Sequence, residues 1–487
     1  MFIRKVKTRN STCFQIGEKR YGRFKLIKHI GCSQSKEEIE ALKLEANRLL
    51  REVVFKDQQN LFPSPSSVVS TAKLLFWRII GYHQTFGYVY DRIGFPSSLL
   101  KDLVIARIVY PKSKAATVRY LSRELGLAYD LDRVYRFMDT LDKDTLTKIA
   151  CDFVRTKRDG VSLVFYDVTT LHFESETEDD FRQKGYSKNH RGDMPQVLIG
   201  LFIDAGGFPF DFSVFEGNTF EGHTFKKAIL SLTNKYLLTN LTVVADSGML
   251  SEDNLTFLRE KQFNYIVGAR LKNMDKQITA NIITYDYTKE NIKEFKLKNQ
   301  RLIVEFSSIR AKKHEQERNR IIERLKKRIT KGHQVIRKSK YLSFESGGKV
   351  TGINNAKIQQ DRLFDGLKGF LTNASNLSQA TDVMSQYRNL WQVEKAFRMS
   401  KNDLKERPIF HQNIKRIKSH LLLCFVALFV IKESERILSS QGYSLIQAIE
   451  ILGKVGEGEI RVGNVNLPID SELSNETQAL LKLFKGY

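Results

Sequence analysis

The sequence predicts an α/β protein built on a mixed sheet flanked by helices. Three observations predict it. At Val161 helical spacing gives way to a run dense in β-branched and aromatic residues. Strand-like and helix-like segments then alternate as far as residue 270. After a very basic stretch, a long amphipathic segment returns beyond residue 380.

The bulk numbers bound the problem. A chain of 487 residues exceeds a single core, so two to four domains are expected. Hydrophobic residues at 41 % and aromatics at 11 % exclude a disordered chain. The net charge of +24 points to a polyanionic partner, nucleic acid first. Cys13, Cys32, Cys151 and Cys424 show no CxxC pair. Cys13, His29 and Cys32 lack a fourth ligand for zinc, and the pattern fits a reducing cytoplasm. Arg4, Lys5 and Lys7 are not followed by an apolar run, so no signal peptide is expected. The apolar run LLLCFVALFVI, 421–431, is too short to span a bilayer and reads as a buried helix.

Residues 1–66 read as a small β/α region: a β-meander punctuated by glycines, a helix over 35–56, and a linker at 62–67. Residues 67–155 read as a helical, DNA-binding module. Within it ATVRYLSREL, Gly126 and DLDRVYRFMDTL resemble helix, turn, helix. Arg119, Arg123, Arg133 and Arg136 would face outward there; two amphipathic helices with solvated arginines is the simpler alternative. Residues 156–270 form the first part of a core. VSLVFYDVTTLHF (161–173) is a central strand buried on both faces. VLIGLFI (197–203) and FPFDFSVF (208–215) make a hairpin around Asp204-Ala-Gly-Gly207. A helix over 221–236, a strand ending at Asp246, a Ser-capped helix over 251–261 and a strand over 263–270 complete it. The order β-β-β-α-β-α-β is that of an RNase-H-like core. Residues 271–362 look like a basic insertion before the last catalytic helix; over 301–340, 14 Lys/Arg face 4 Glu. Residues 363–430 return to a strand and then one long helix from about Asp382 to Leu404. Residues 431–487 read as a helical C-terminal region.

Carboxylates carry the candidate chemistry. Phosphodiester cleavage with two metal ions needs two or three of them at one point. An acid inside a buried strand is costly unless it binds metal or a counter-charge, and Asp167 lies in such a run. Asp246 ends another, and in this strand order the first and fourth strands are neighbours, so the two would meet. A third acid should come from a helix across the sheet. On one helix Tyr387, Glu394 and Lys401 are seven apart and fall within about 40° of one another. Arg398 joins that face, and Leu390, Val393, Phe397 and Leu404 form the stripe that packs. Glu394 would ligate metal, Arg398 and Lys401 would hold phosphates, and Tyr387 would stack on DNA or contact its backbone. Taken singly, Asp167 and Asp246 could be ordinary turn residues, and Glu394 with its cations a solvated ion-pair face.

YDVTTLHFE (166–174), ADSGMLSEDNL (245–255) and YRNLWQVEKAFRMSKNDLKERPIFH (387–411) resemble the DDE transposases of bacterial insertion sequences. Within these, the resemblance is to the insertion-sequence family four-like group with the Y-R-E-K signature. It covers about residues 160–430 and implies Asp167, Asp246 and Glu394 as catalytic and metal-binding triad. It also implies Mg²⁺ with Mn²⁺ as a substitute, terminal inverted repeats and target DNA as partners, a homodimer in the synaptic complex, and a bacterial cytoplasmic, nucleoid-associated site of action. The signature usually runs Y-x2-R-x3-E-x6-K; position 390 is Leu here, with Arg388 and Arg398 nearby as substitutes. The function expected is cleavage at transposon ends and transfer of a 3′-hydroxyl into target DNA. A nuclease without strand transfer, or a DNA-binding protein with a retired core, is the alternative.

Overall fold

The computed structural model describes residues 1–8, 11–20, 22–57, 72–157, 161–175, 177–185, 194–249, 251–330, 339–345, 350–462 and 465–486. The chain divides into two units, Met1–Phe76 with Gly458–Ile469, and Trp77–Glu457 with Asp470–Tyr487.

In the first unit β1 (Phe2–Lys7), β2 (Thr12–Arg20) and β3 (Arg23–Ser33) form the expected antiparallel meander, followed by α1 (Lys36–Asp57). The β2–β3 register sets Cys13 opposite Cys32, with Cα atoms 4.0 Å apart, and the two are joined as a disulfide. The sequence reading found no CxxC pair and a pattern that fits a reducing cytoplasm; the 19-residue separation hides a pair that the hairpin makes direct neighbours. The expected linker at 62–67 lies outside the described residues. Strand β4 (Lys73–Ile79) follows, where helix was expected.

The second unit contains α2 (Tyr88–Ile93), α3 (Ser98–Val109), α4 (Lys114–Leu125), α5 (Leu131–Met138) and α6 (Lys143–Lys157). Local chemistry sets the α4–α5 pair. Ser113 caps α4, Gly126 ends it at φ 67°, and Asp130 caps α5.

The core follows as β5 (Leu163–His172), β6 (Gln196–Ile203), β7 (Pro209–Glu216), α7 (Glu221–Tyr236), β8 (Thr242–Ala245), α8 (Glu252–Glu260) and β9 (Asn264–Ala269). Beyond it come α9 (Lys276–Thr284), β10 (Ile292–Leu297), β11 (Gln300–Phe306), α10 (Ser308–Thr330), β12 (Leu342–Phe344), β13 (Val350–Ile353), α11 (Asn355–Arg362) and β14 (Leu367–Thr372). Eight strands make one sheet in the order β10-β11-β14-β9-β8-β5-β6-β7. β5, β8 and β9 are parallel to one another, and the other neighbours are antiparallel. The fold is therefore α/β with a mixed sheet flanked by helices, and β7-β6-β5-β8-β9 is the RNase-H-like order. The basic stretch is not wholly separate from it: β10 and β11 extend the core sheet, while α10 carries the cations.

The chain closes with α12 (Ala380–Arg388), α13 (Trp391–Asn402), α14 (Ile414–Ser439), α15 (Leu445–Leu452), β15 (Gly456–Val462), β16 (Val465–Asp470) and α16 (Asn475–Lys485). Strands β15 and β16 interrupt the segment read as a helical C-terminal region. GEGEIRV and VNLPID are too short for their period-two pattern to outweigh the helical residues around them. The one long helix expected from Asp382 to Leu404 is two. Between α12 and α13 the amides of Leu390, Gln392 and Val393 bond to the carbonyls of Tyr387, Asn389 and Leu390, three residues back instead of four. Helix α14 buries the apolar run over 421–431. Among the described residues no helix is long and apolar enough to cross a membrane.

Candidate active site

Side chains alternate across β5, and this sorts the site. Tyr166 points to the α7 face, where its hydroxyl lies 3.1 Å from that of Thr224 and its ring meets Phe225. Asp167 and Thr169 therefore share the opposite face, which α13 covers. Lys401 of α13 donates to the Thr169 hydroxyl and ties the helix to this strand.

The parallel register of β5 and β8 runs Phe165 with Val244 and Tyr166 with Ala245. Asp167 and Asp246 are the next residues on each strand, so they stand side by side at roughly the 4.8 Å strand spacing. Asp246 ends β8. Its Oδ1 accepts the Gly248 amide at 2.6 Å, and the chain turns away at once. Asp167 Oδ1 accepts the Val168 amide at 2.7 Å. Glu394 sits in the first turn of α13, where the helix dipole favours a negative charge, and is exposed.

The Tyr387 phenol is pushed up to about 12, first by burial and then by the charges of Asp246, Glu394 and Asp167. One hydroxyl thus lies in the field of all three acids. Gly268 on β9 makes room for it: a Cβ there would stand 2.6 Å from the Tyr387 oxygen and 3.3 Å from the Ser247 nitrogen. The Tyr387 ring packs edge-on against Phe370, with centroids 4.9 Å apart.

At 8 % exposure Tyr387 is not the stacking surface for DNA that its sequence position suggested. The break after α12 is the reason. It splits the segment into two helices, so the seven-residue spacing of one continuous helix does not relate Tyr387, which is buried, to Glu394, which is exposed. Leu390, Val393, Phe397 and Leu404 are buried, as the apolar stripe required. Arg388 reaches back to Glu305 on β11, which also holds Arg310 at 3.2 Å. Arg398 is exposed one turn beyond Glu394. Arg119, Arg123, Arg133 and Arg136 are all exposed, but on α4 and α5 rather than on the elements that bear the acids.

Sequence reasoning missed Thr169, Gly268 and Lys368. Thr169 follows Asp167 by two on the same face, a signal that period two contained. Gly268 and Lys368 sit in strands read only as packing, and only the seat of Tyr387 gives them meaning.

The donor set is all carboxylate oxygen, which suits a hard divalent cation. Among the described residues no three Asp, Glu, His or Cys side chains stand close enough to hold a metal ion, so the acids face one region without closing into a cage. Beside them a cavity of about 440 Å³ opens between the core and the basic stretch, lined by Ser247, Gly268, Tyr387, Lys368, Lys272 and Arg318 among others.

Comparison with known proteins sets this geometry in a family. A solved piggyBac transposase synaptic complex with hairpin DNA aligns with 77 % of this chain and 76 % of its own, at 11 % identity and a TM-score of 0.40. A Mos1 transposase paired-end complex with left transposon end aligns at 10 % identity, and a pre-cleavage Mos1 transpososome at 9 %. Each of these covers 35 % of this chain and 60 % of its own, with a TM-score of 0.17. Likenesses this distant add nothing to the site. No curated protein matches the chain. The family model described as Transposase DDE domain matches residues 160–430, more than half of the chain and every element that bears the three acids. The chain belongs to this transposase family.

Proposed function

We propose that this protein is a DNA transposase that binds the terminal inverted repeats of its element, cleaves DNA there and joins the freed 3′-hydroxyl to target DNA. The observation that carries the reading is the parallel register of β5 and β8, which brings Asp167 and Asp246 to neighbouring strand positions inside the matched transposase domain. Within its family we place the chain with the Y-R-E-K group, on the spacing of Tyr387, Glu394 and Lys401.

Asp167, Asp246 and Glu394 would hold Mg²⁺, with Mn²⁺ as a substitute. When bound, the ions supply an activated attacking oxygen and stabilise the leaving one. The chain's own residues do the rest. Thr169 and Lys401 hold α13, and with it Glu394, against β5. Tyr387 stays protonated at neutral pH and offers a hydroxyl rather than a fourth charge to the acids. Arg398 and the exposed Arg119, Arg123, Arg133 and Arg136 add phosphate contacts, with residues 67–155 acting as the DNA-binding module. Two protomers hold the two ends.

The test is reaction of the wild-type protein with duplexes bearing the element's own ends, plus a target plasmid, with and without Mg²⁺. Mg²⁺-dependent cleavage at the end with joined products is expected. Cleavage without joining would reduce the protein to a nuclease, and binding without cleavage to a retired core.

A further inference from the structure

Lys368 lies against the ring of Tyr387 and, among the described residues, has no carboxylate partner. It lies on β14, across from Glu305 in the β11 register, but Glu305 is buried and already held by Arg310 and Arg388. Among the described residues Lys368 makes no hydrogen bond or ion pair. Instead its ammonium is seated on two rings, 4.7 Å from the centroid of Tyr387 and 5.4 Å from that of Phe370. The first of these rings belongs to Tyr387, on whose hydroxyl the charges of Asp246, Glu394 and Asp167 act.

The electrostatics agree with the geometry. Burial depresses the Lys368 pKa, and Arg310 and Arg388 push the same way, while Glu305 and Glu394 oppose them. The charge is thus within reach of Glu394 without being neutralised by it. Half-burial weakens solvation of the ammonium, and a ring face holds a cation without taking up its N–H donors. Those donors remain available to a ligand. Lys368 also lines the cavity that Ser247 and Gly268 share, the side from which a ligand would approach Asp246. The carboxylates suit divalent cations, whereas the ammonium suits a negative oxygen; a ligand that meets bound cations on one side and Lys368 on the other has the chemistry of a phosphodiester.

We infer that Lys368 binds a non-bridging oxygen of the DNA phosphate that is cut, with Tyr387 and Phe370 as the platform that aims it. The inference rests on the transposase reading above. Its test is a charge-swap cycle. Wild type, Lys368→Met and Lys368→Arg are bound to two duplexes bearing the element's end, one natural and one with a neutral methylphosphonate at the cleavage-site phosphate. Single-turnover cleavage of the natural duplex is followed in parallel. Lys368→Met should lose roughly 10- to 100-fold in affinity or rate on the natural duplex. It should lose little further affinity on the neutral one, and Lys368→Arg should restore most of the loss. Equal losses on both duplexes, or none, overturn the contact while leaving wild-type cleavage intact. Wild type that neither binds nor cuts the natural end overturns the transposase reading, and the inference with it. If Lys368→Met does not fold, acylation of wild-type lysines read by mass spectrometry decides. Lys368 should be protected by the natural duplex and not by the neutral one; equal labelling with both contradicts the contact.

Discussion

Asp167 and Asp246 are consecutive with the paired residues Tyr166 and Ala245 on neighbouring parallel strands, so backbone register alone brings two carboxylates side by side. Asp167→Asn and Asp246→Asn should each lower end cleavage by at least ~100-fold, the scale of a lost transition-state charge contact. Affinity for the same duplex should change little. Gel-resolved cleavage beside equilibrium binding checks this; a parallel loss of binding and cleavage would mean that the strands, not the chemistry, had been disturbed.

Gly268 is required by Tyr387 rather than by its own backbone. Gly268→Ala puts a methyl 2.6 Å from the phenol oxygen, and a rigid ring wedged against Phe370 can yield only by moving. Overpacking of this kind costs about 1–3 kcal/mol. We expect denaturant unfolding to show that loss, and cleavage to fall more than Tyr387→Phe makes it fall. Wild-type behaviour of Gly268→Ala would show that Tyr387 is not seated there.

Two exposed arginines near the acids should behave differently. Arg388 is bound to Glu305, whereas Arg398 projects from α13 beyond Glu394. Arg388→Ala should cost under about 1 kcal/mol of stability and leave the salt dependence of DNA binding unchanged. Arg398→Ala should reduce the slope of log affinity against log salt by about one phosphate contact. Titration of binding across a salt series separates them, and the reverse ranking would refute the assignment.

Acid should destabilise the fold through two imidazoles, the half-buried His411 and the buried His420. His411 is held down to about 4, and His420 well below its ordinary value; burial is the first cause in both, with Lys114 and Arg107 adding to it. His420 Nε2 donates to the Glu406 carbonyl at 3.2 Å and Nδ1 accepts from Lys114 at 3.4 Å, an arrangement open only to the neutral ring. Because the folded pKa lies below the unfolded one, this stability is complete above about pH 6.5 and is lost as pH falls towards 4. Glu406, whose pKa is raised by burial, works in the opposite direction. Unfolding midpoints of wild type and His420→Gln between pH 7 and 4 test the point. The variant should lose less on acidification, and equal acid limbs would exclude His420.

Much of this was legible in the sequence, and the limits have physical causes. The central strand, the hairpin and the acid at the end of β8 could be read because both faces of those strands are buried, which forces long apolar runs around each charge. The break at Asn389–Leu390 could not, since no Pro or Gly marks it and the residues on both sides favour helix. Tyr387 and Glu394 therefore lie on separate helices, the first buried and the second exposed. The Cys13–Cys32 pair was hidden because hairpin register, not spacing, creates it. Lys368 was hidden because a lysine in a strand ordinarily points to solvent.

The central claim is that Asp167, Asp246 and Glu394 act as one site. Single-turnover cleavage of an end duplex by Asp246→Asn, Glu394→Gln and the double variant tests it most directly, because residues that act as a unit are not additive. The account predicts that each single variant loses nearly all activity and that the double is no worse than either. Cleavage by Glu394→Gln at the wild-type rate, or losses that multiply in the double variant, would contradict it.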